Sequence, residues 1–337
     1  MSARRVFRLY ACCIPVRGAR RSTLCDLQRE RYELIPNSLF DILARYADHT
    51  LDEIRADFPA ALHATLDEYF DHMVREEYGF WCDDPEAFPP MELAWERPAA
   101  VTNALVDVDE GSRHDWPSLL GQLDALGCEA IQLRFFRHAP VAELDEVLGA
   151  MAHGRLRSVE LLLPHDPAWG ERTLEELCVR HQRVMGLLVH SAPEERLERV
   201  PGLETILLFR TERIDSHAHC GRVSPEWFMP TLAGFTEALS FNSCLNRKLS
   251  IDAAGEIRNC PSLPRSFGNA AHTPLAAAVG DPTFRELWGI TKDQVETCRD
   301  CEFRYVCTDC RAHLRDPADR LSKPARCSYD PYTARWN

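Results

Sequence analysis

The cysteines near the C-terminal end of the chain are spaced as the ligands of a metal ion or an iron–sulfur cluster would be. Cys298 and Cys301 are separated by two residues, as are Cys307 and Cys310, and Cys327 follows after 16 more. A two-residue spacing allows two thiolates to bind one metal ion or one part of a cluster. Two such pairs and a further cysteine predict a metal centre in this part of the chain.

Two earlier cysteines flank a predicted β-hairpin. Cys244 precedes residues 251–257, whose pattern predicts a hairpin with its turn around Gly255, and Cys260 follows five positions after that glycine. The hairpin would bring Cys244 and Cys260 within reach of one site. Cys220, in the run HAHCG at 217–221, is a candidate for a further ligand of that site.

The chain has 14 cysteines in 337 residues, and seven of them lie between Cys244 and Cys327. The apolar run from Leu9 to Val16 is short and no A-x-A-like cleavage site follows it, so we expect a cytoplasmic protein. No run approaches 18 apolar residues, which predicts that no segment spans a membrane. In a cytoplasmic protein many cysteines indicate metal binding or catalysis rather than disulfides. Six scattered cysteines are expected in the core, namely Cys12, Cys13, Cys25, Cys82, Cys128 and Cys178.

The charge balance argues against a nucleic-acid partner. The formal net charge is −13, whereas phosphate binding needs clustered Lys and Arg. Only three of the 39 basic residues are lysines, Lys248, Lys292 and Lys323. We attribute this scarcity to the base composition of the gene. The sequence also has no Walker-type loop, no Gly-x-Gly-x-x-Gly after a strand and no His-Glu-x-x-His, so it indicates no catalytic residue.

The elements of the first 96 residues read as three short strands followed by three helices. The predicted strands are 7–16, 21–28 and 31–35, and the predicted helices begin near Asn37 or Ser38, after Thr50, and at about Leu62. The third helix would end near Tyr78. This order is typical of a winged-helix module, but the third helix is acidic, which is the wrong sign for DNA.

Residues 97–215 alternate between apolar runs and helical patterns. The five runs are 101–108, 130–136, 159–163, 184–189 and 205–209, and the intervening helices are predicted at 118–126, 141–151, 174–180 and 193–200. Such alternation predicts βα units around a parallel sheet. Five units are too few for a closed eight-fold barrel, so we expect an α/β fold with a partial (β/α) barrel at 97–215 and a cysteine-rich domain at 216–337.

The cysteine-rich region resembles the SPASM domain of radical-SAM peptide maturases. The resemblance rests on HAHCG at 217–221, NSCLNRKLSIDAAGEIRNCPS at 242–262, FGN at 267–269, CRDCEFRYVCTDCR at 298–311 and KPARCSYDPYTARW at 323–336. The chain departs from the family pattern in one spacing, because two residues rather than three separate Cys307 from Cys310. The resemblance implies two auxiliary 4Fe–4S clusters. The first would be held by Cys244, Cys260 and Cys310, with Cys220 as the candidate fourth ligand, and the second by Cys298, Cys301, Cys307 and Cys327.

The partial barrel resembles a radical-SAM scaffold that lacks its own cluster. A radical-SAM enzyme needs Cys-x3-Cys-x2-Cys after the first barrel strand, but here residues 109–115 contain no cysteine. We therefore expect no cleavage of S-adenosylmethionine. The chain most resembles SPASM-domain peptide maturases of the grasp-with-spasm type. This resemblance implies an ATP-grasp ligase and a short precursor peptide as partners.

The first 96 residues resemble the RiPP recognition element, the leader-peptide-binding winged-helix module of ribosomal-peptide maturation. In that family the peptide adds a strand to the third β-strand, against the third helix. The resemblance implies that the peptide-binding residues are Arg31, Glu33, Ile35, Leu66, Tyr69 and Met73.

Three alternatives stay open. The first 96 residues could be a generic small α+β domain. The cysteines could bind zinc in a scaffold with no redox role. The protein could also be a redox enzyme that acts on the peptide itself through an open iron position, without S-adenosylmethionine.

Overall fold

The computed structural model describes residues 5–170 and 172–336. Up to residue 95 the elements are β1 (Val6–Leu9), β2 (Cys13–Arg17), β3 (Ser22–Asp26), β4 (Arg31–Ile35), α1 (Asn37–Arg45), α2 (Leu51–Ala56), α3 (His63–Arg75) and β5 (Gly79–Cys82). From 96 to 222 they are β6 (Asn103–Val108), α4 (Trp116–Ala125), β7 (Ala130–Phe135), α5 (Val141–Ala150), β8 (Ser158–Pro164), α6 (Thr173–Arg180), β9 (Val184–His190), β10 (Arg196–Arg199) and β11 (Ile206–Phe209). Beyond 222 they are α7 (Leu232–Ser240), β12 (Lys248–Ile251), β13 (Ile257–Arg258), α8 (Leu275–Gly280), β14 (Tyr329–Asp330) and β15 (Arg335–Trp336).

The chain divides into two compact units, and each is made of separate stretches of sequence. Unit 1 comprises residues 1–95, 223–243 and 290–337, and unit 2 comprises 96–222 and 244–289. Residues 216–337, which were predicted to form one cysteine-rich domain, contribute to both units. Cys220, Cys244 and Cys260 thus belong to unit 2, and the cysteines from 298 onward belong to unit 1.

Unit 1 is built around a three-stranded antiparallel sheet in the order β2-β3-β4. All five residues of the central strand β3 are buried. Because side chains alternate between the faces of a strand, such burial requires cover on both faces. Leu24 packs on one face in a core with the helices α1 to α3, and Cys25 packs on the other face with Phe303 and Tyr329.

The first predicted strand, 7–16, is wrong as a single element. The chain turns at Tyr10, whose carbonyl accepts a hydrogen bond from the amide of Cys13, and two strands result. β1 pairs antiparallel with β5, while β2 joins the three-stranded sheet. The hydrophobic pattern of the run does not change at this turn, so the pattern does not predict two strands. The two strands form because β1 pairs with a distant segment, Gly79–Cys82.

The three predicted helices of the first 96 residues are present, with differences at their ends. Thr50 caps α2 in a capping box with Glu53, as predicted. Asn37 does not cap α1, because its side chain accepts a hydrogen bond from Ser22 and donates to the carbonyl of Gly18 instead. The third helix ends at Arg75, three residues before the predicted end.

Unit 2 is built around an eight-stranded, mostly parallel sheet in the order β10-β11-β9-β8-β7-β6-β12-β13. The helices α4, α5 and α6 follow β6, β7 and β8, and their apolar side chains pack on the sheet in one core. The α/β class is therefore confirmed. All five predicted apolar runs of residues 97–215 form strands of this sheet.

The predicted helix at 193–200 is wrong. Residues 196–199 form β10, the edge strand of the sheet, which pairs antiparallel with β11, and the guanidinium of Arg196 lies 3.9 Å from the ring centroid of Phe209. A short, exposed helix is only marginally stable, whereas a strand here gains backbone hydrogen bonds to the sheet. The tertiary context therefore favours a strand over a helix at these residues.

The predicted hairpin around Gly255 is present. Gly255 has a φ of 86°, a left-handed conformation that favours glycine, and β12 and β13 pair antiparallel on either side of the turn. β12 also pairs in parallel with β6, so the hairpin extends the large sheet of unit 2. Within residues 5–170 and 172–336, no helix is both long and apolar enough to cross a membrane.

Candidate metal centre

Four thiols of unit 1 line one pocket. Cys298, Cys301, Cys307 and Cys327 all contribute to its wall. Tight turns present them: the amide of Cys301 donates to the carbonyl of Cys298 at 3.0 Å, that of Cys307 to Phe303 at 2.9 Å, and that of Cys327 to the carbonyl of residue 324 at 3.2 Å. The structure therefore brings together the four cysteines that the sequence assigns to one cluster.

The pocket is otherwise largely apolar. The space between its atoms, including the opening to solvent, is about 340 Å³. Phe303 packs at 5.2 Å from Phe228 and 5.1 Å from Tyr329, measured between ring centroids, and Trp336 completes the aromatic wall. A wall of this kind excludes water from the thiols, and exclusion of water influences the potential of a bound cluster.

A strained residue precedes the first of these thiols. Thr297 has a φ of 66°, although it is branched at Cβ. A β-branched residue in this conformation costs about 1–3 kcal/mol and persists only where the surrounding structure enforces it. The carbonyl of Thr297 accepts a hydrogen bond from the amide of Asp300, in the turn that presents Cys298 and Cys301.

Burial favours the protonated form of three thiols of this pocket, those of Cys298, Cys301 and Cys307, in the absence of a metal. It raises the pKa of Cys307 to about 11, although the Lys292 ammonium lowers it. Burial also raises the pKa of Cys301 and of Cys298, and the neighbouring thiolates add to each rise. Metal binding would therefore release protons, as it does whenever thiolates replace thiols at a metal.

A cationic side chain contacts the same thiols. The Nζ of Lys292 lies 3.4 Å from the Sγ of Cys307 and 3.7 Å from a carboxylate oxygen of Asp309. Burial lowers the pKa of Lys292, but the charges of Cys307, Asp309 and Cys298 together raise it above its ordinary value. The ammonium is thus charged wherever a thiolate is present.

Three thiols of unit 2 form a second group. Burial raises the pKa of Cys260 to about 11, and the charges of Cys244 and Cys220 raise it further while that of Lys248 lowers it. The Nζ of Lys248 lies 3.7 Å from the Sγ of Cys244. The hairpin places Cys244 before β12 and Cys260 after β13, so both are at the same end of the hairpin.

Cys310 belongs to unit 1, whereas Cys244 and Cys260 belong to unit 2. It is buried next to Asp309, whose carboxylate accepts hydrogen bonds from Asn242 at 2.7 Å and from Arg311 at 2.6 Å. Cys310 therefore comes directly after a residue whose side chain is held in place by hydrogen bonds.

The scattered cysteines are mostly core residues, as expected: Cys13, Cys25, Cys82, Cys128 and Cys178 are buried and Cys12 is half-buried. The ligand atoms of Cys12, Cys13 and Asp26 lie within 4.8 Å of one another, which is close enough for one metal ion. No spacing signal marks this group in the sequence, because Asp26 is distant from the cysteine pair. Asp26 already accepts hydrogen bonds from two backbone amides and forms an ion pair with Arg29 at 3.4 Å, so its charge is balanced without a metal.

The predicted peptide-binding residues divide into buried and accessible ones. Ile35, Leu66 and Met73 are buried in the core between the sheet and the helices. Of the other three, Arg31 is exposed and donates to the carbonyl of Glu76, Glu33 accepts from His72 at 2.7 Å, and Tyr69 is half-buried, with its hydroxyl 3.0 Å from that of Ser38.

β4 is an edge strand of the three-stranded sheet. β4 pairs with β3 alone among the strands of residues 5–170 and 172–336. An edge strand offers unpaired backbone groups to an extended peptide. Leu34 of β4 and Val74 of α3 are exposed apolar residues outside the predicted peptide-binding set, with 42% and 41% of their surfaces accessible.

A buried ion pair in unit 2 was also missed. Arg134 donates two hydrogen bonds to the carboxylate of Asp107, at 2.7 and 2.8 Å, from the paired position on the neighbouring strand. Their positions in equivalent apolar runs, NALVDV and AIQLRF, are the sequence signal.

His190 is buried at the end of β9, and its burial lowers its pKa. The loop at 109–115, where a radical-SAM enzyme has its cysteines, is held by hydrogen bonds of Asp109 and Ser112.

Comparison of the sequence with protein-family models finds no match, and comparison with curated proteins finds none of significant similarity.

Proposed function

We propose that this protein takes part in the maturation of a ribosomally made peptide. It binds the leader of the precursor peptide through residues 1–96, carries one or two 4Fe–4S clusters on its two groups of cysteines, and acts with an ATP-grasp ligase in the cytoplasm. As part of the same proposal, residues 1–96 are a winged-helix module, residues 97–215 a partial barrel and residues 216–337 a SPASM domain.

One observation supports the proposal most strongly. The sheet of the peptide-binding module and the four-thiol pocket share one hydrophobic core within unit 1. Tyr32 of β4 packs edge to face on Phe303, which lines the pocket. A peptide added to β4 would therefore bind beside the pocket that holds the cluster.

The donor set fits an iron–sulfur cluster. Four thiols and no carboxylate line the pocket, and thiolates are the ligands of 4Fe–4S clusters. Four thiolates also suit a structural zinc ion, and the metal and sulfide content of the purified protein distinguishes the two.

The residues of the site have separate roles in this proposal. Cys298, Cys301, Cys307 and Cys327 would hold the cluster, and the aromatic wall would exclude water from it. The backbone of β4 would bind the leader in an extended conformation, and Glu33 and Tyr69 would contact its side chains. A bound 4Fe–4S cluster supplies one-electron transfer.

The proposal is tested by titrating the anaerobically purified protein into a fluorescently labelled precursor peptide encoded beside its gene. We expect a saturable rise in anisotropy at micromolar protein, and the same labelled peptide with a scrambled leader is the control. Absence of binding at micromolar concentration would contradict the peptide-binding part of the proposal.

The redox-enzyme alternative makes a different prediction. It requires the mass of the peptide to change when the protein and a reductant are present without the ligase. An unchanged mass in that reaction, with binding intact, would favour a role as the partner of the ligase.

A further inference from the structure

Every lysine of this chain belongs to one of the two cysteine sites. Lys292 donates to the Sγ of Cys307 at 3.4 Å, and Lys248 donates to the Sγ of Cys244 at 3.7 Å. Lys323 lines the same pocket as Lys292. The remaining 36 of the 39 basic residues are arginines. Base composition explains a shortage of lysine, but it does not explain why the few lysines lie at the cysteines.

The chemistry of the two side chains explains this placement. The lysine ammonium is a compact charge with three donors that can rotate toward a sulfur atom, whereas the guanidinium is a wide planar group suited to carboxylates and phosphates. A lysine therefore reaches a ligand sulfur between packed side chains, where an arginine would displace its neighbours.

The ammonium of Lys292 is held in place from two sides. Its Nζ lies between the Sγ of Cys307 and the carboxylate of Asp309, 3.7 Å away. Asp309 is itself held by Arg311 at 2.6 Å and by Asn242 at 2.7 Å. Arg311 balances the charge of Asp309, so the three charged groups leave one net positive charge beside the thiols.

We propose that Lys292 and Lys248 are positioning residues that donate charge-assisted hydrogen bonds to the ligand sulfurs of two iron–sulfur clusters and thereby raise the reduction potential of each. The inference rests on the proposed function, because it requires clusters at these cysteines. A cluster gains one negative charge when it accepts an electron. A fixed positive charge in a poorly hydrated site stabilises the reduced form more than the oxidised form.

The test is a redox titration of the reconstituted full-length protein, followed by the electron paramagnetic resonance signals of the reduced clusters. We expect Lys292→Met to lower the equilibrium constant for reduction of one cluster at least tenfold, which is about 59 mV more negative for one electron. Lys248→Met should shift the other cluster and leave the first unchanged.

Arg299→Met is the matched control. It also removes one positive charge next to a ligand in sequence, but 61% of the Arg299 side chain is exposed, and solvent screens exposed charges. Its potential should equal that of the wild type. If Lys292→Met does not fold, Lys292→Gln removes the charge and keeps a polar group, and the same negative shift is expected.

Selective labelling gives a second measurement. Because the chain has only three lysines, ¹⁵N-lysine labels three side chains, and pulsed electron paramagnetic resonance should detect a ¹⁵N coupling to each reduced cluster. The coupling of one cluster should disappear in Lys292→Met and persist in Lys323→Met.

Two results would overturn the inference, and they are distinguishable. Clusters that assemble with an unchanged potential and no ¹⁵N coupling would refute the role of the lysines and leave the proposed function intact. A protein that binds zinc and no sulfide would refute both.

Discussion

The rings of Tyr32 and Phe303 meet edge to face, with their centroids 5.6 Å apart. Tyr32 lies on β4, the edge strand of the sheet, and Phe303 lies between Cys301 and Cys307 in sequence. The two side chains belong to one core in unit 1. The contact links the strand that would bind a peptide with the pocket that would hold a cluster.

Phe303→Ala should weaken both functions of unit 1. The side chain is 3% exposed, and removal of a buried Phe side chain costs about 3–5 kcal/mol. We expect less iron per chain after anaerobic reconstitution and weaker binding of the labelled peptide. Leu34→Ala is the control for iron content, because Leu34 lies on the same strand and 42% of its surface is exposed. Full iron content and unchanged stability in Phe303→Ala would contradict the coupling.

Cys301→Ala together with Cys307→Ala should abolish the cluster of unit 1. Two of four ligands are lost, and the remaining thiols cannot hold four iron atoms. Iron and acid-labile sulfide should fall by about four atoms of each per chain. Cys178→Ala changes a buried cysteine outside both groups and should leave the iron content unchanged. Retention of all iron in the double variant would refute this ligand set.

Cys220→Ser should destabilise the cluster of unit 2 selectively. The charges of Cys220 and Cys244 both raise the pKa of Cys260, which agrees with Cys220 as the candidate for a further ligand. We expect a changed or lost signal from one cluster, with the other signal intact. Cys128→Ser, a change in the core of the same unit, serves as the control. Identical spectra for Cys220→Ser and the wild type would exclude Cys220 as a ligand.

The edge of β4 can be tested with proline at two neighbouring positions. Successive residues of an antiparallel strand direct their N–H groups to opposite edges, so either Glu33 or Leu34 faces away from β3. Proline at the outward residue should leave the protein folded and weaken peptide binding at least tenfold, because edge strands tolerate proline. Proline at the inward residue should lower the melting temperature. Two folded variants that bind like the wild type would refute addition of a strand.

His190 should make unit 2 less stable in acid. The pKa of His190 in the folded protein lies below its unfolded value of about 6.5, mainly because the side chain is buried. The stability it contributes is present above the unfolded pKa and is lost as the pH falls through the folded pKa, since the unfolded chain binds the proton more tightly. The urea midpoint of the wild type should fall more than that of His190→Phe between pH 7.5 and about 5. Parallel curves for the two proteins would contradict this.

The sequence predicted most elements whose signals are local. The strands of unit 2, the capping box at Thr50 and the turn at Gly255 follow from periodicity and residue chemistry within a few positions. The errors depend on distant partners: β1 pairs with β5, and β10 pairs with β11, so the strand break at Tyr10 and the strand at 196–199 had no local signal.

The candidate site was predictable only in part. Cysteine spacing predicted a metal centre between residues 298 and 327, and the resemblance to the SPASM domain implied the set of four thiols that line the pocket of unit 1. The contacts of Lys292 and Lys248 with the thiols were not predictable, since nothing in their sequence neighbours distinguishes a ligand contact from a surface charge. Burial of Ile35, Leu66 and Met73 likewise depends on how the sheet and helices pack.

The most direct test of the account is the metal content of the anaerobically purified full-length protein, measured with acid-labile sulfide and a visible spectrum. The account predicts a brown protein with about four or eight iron atoms per chain and an equal amount of sulfide. A colourless protein with about two zinc ions per chain and no sulfide would contradict it.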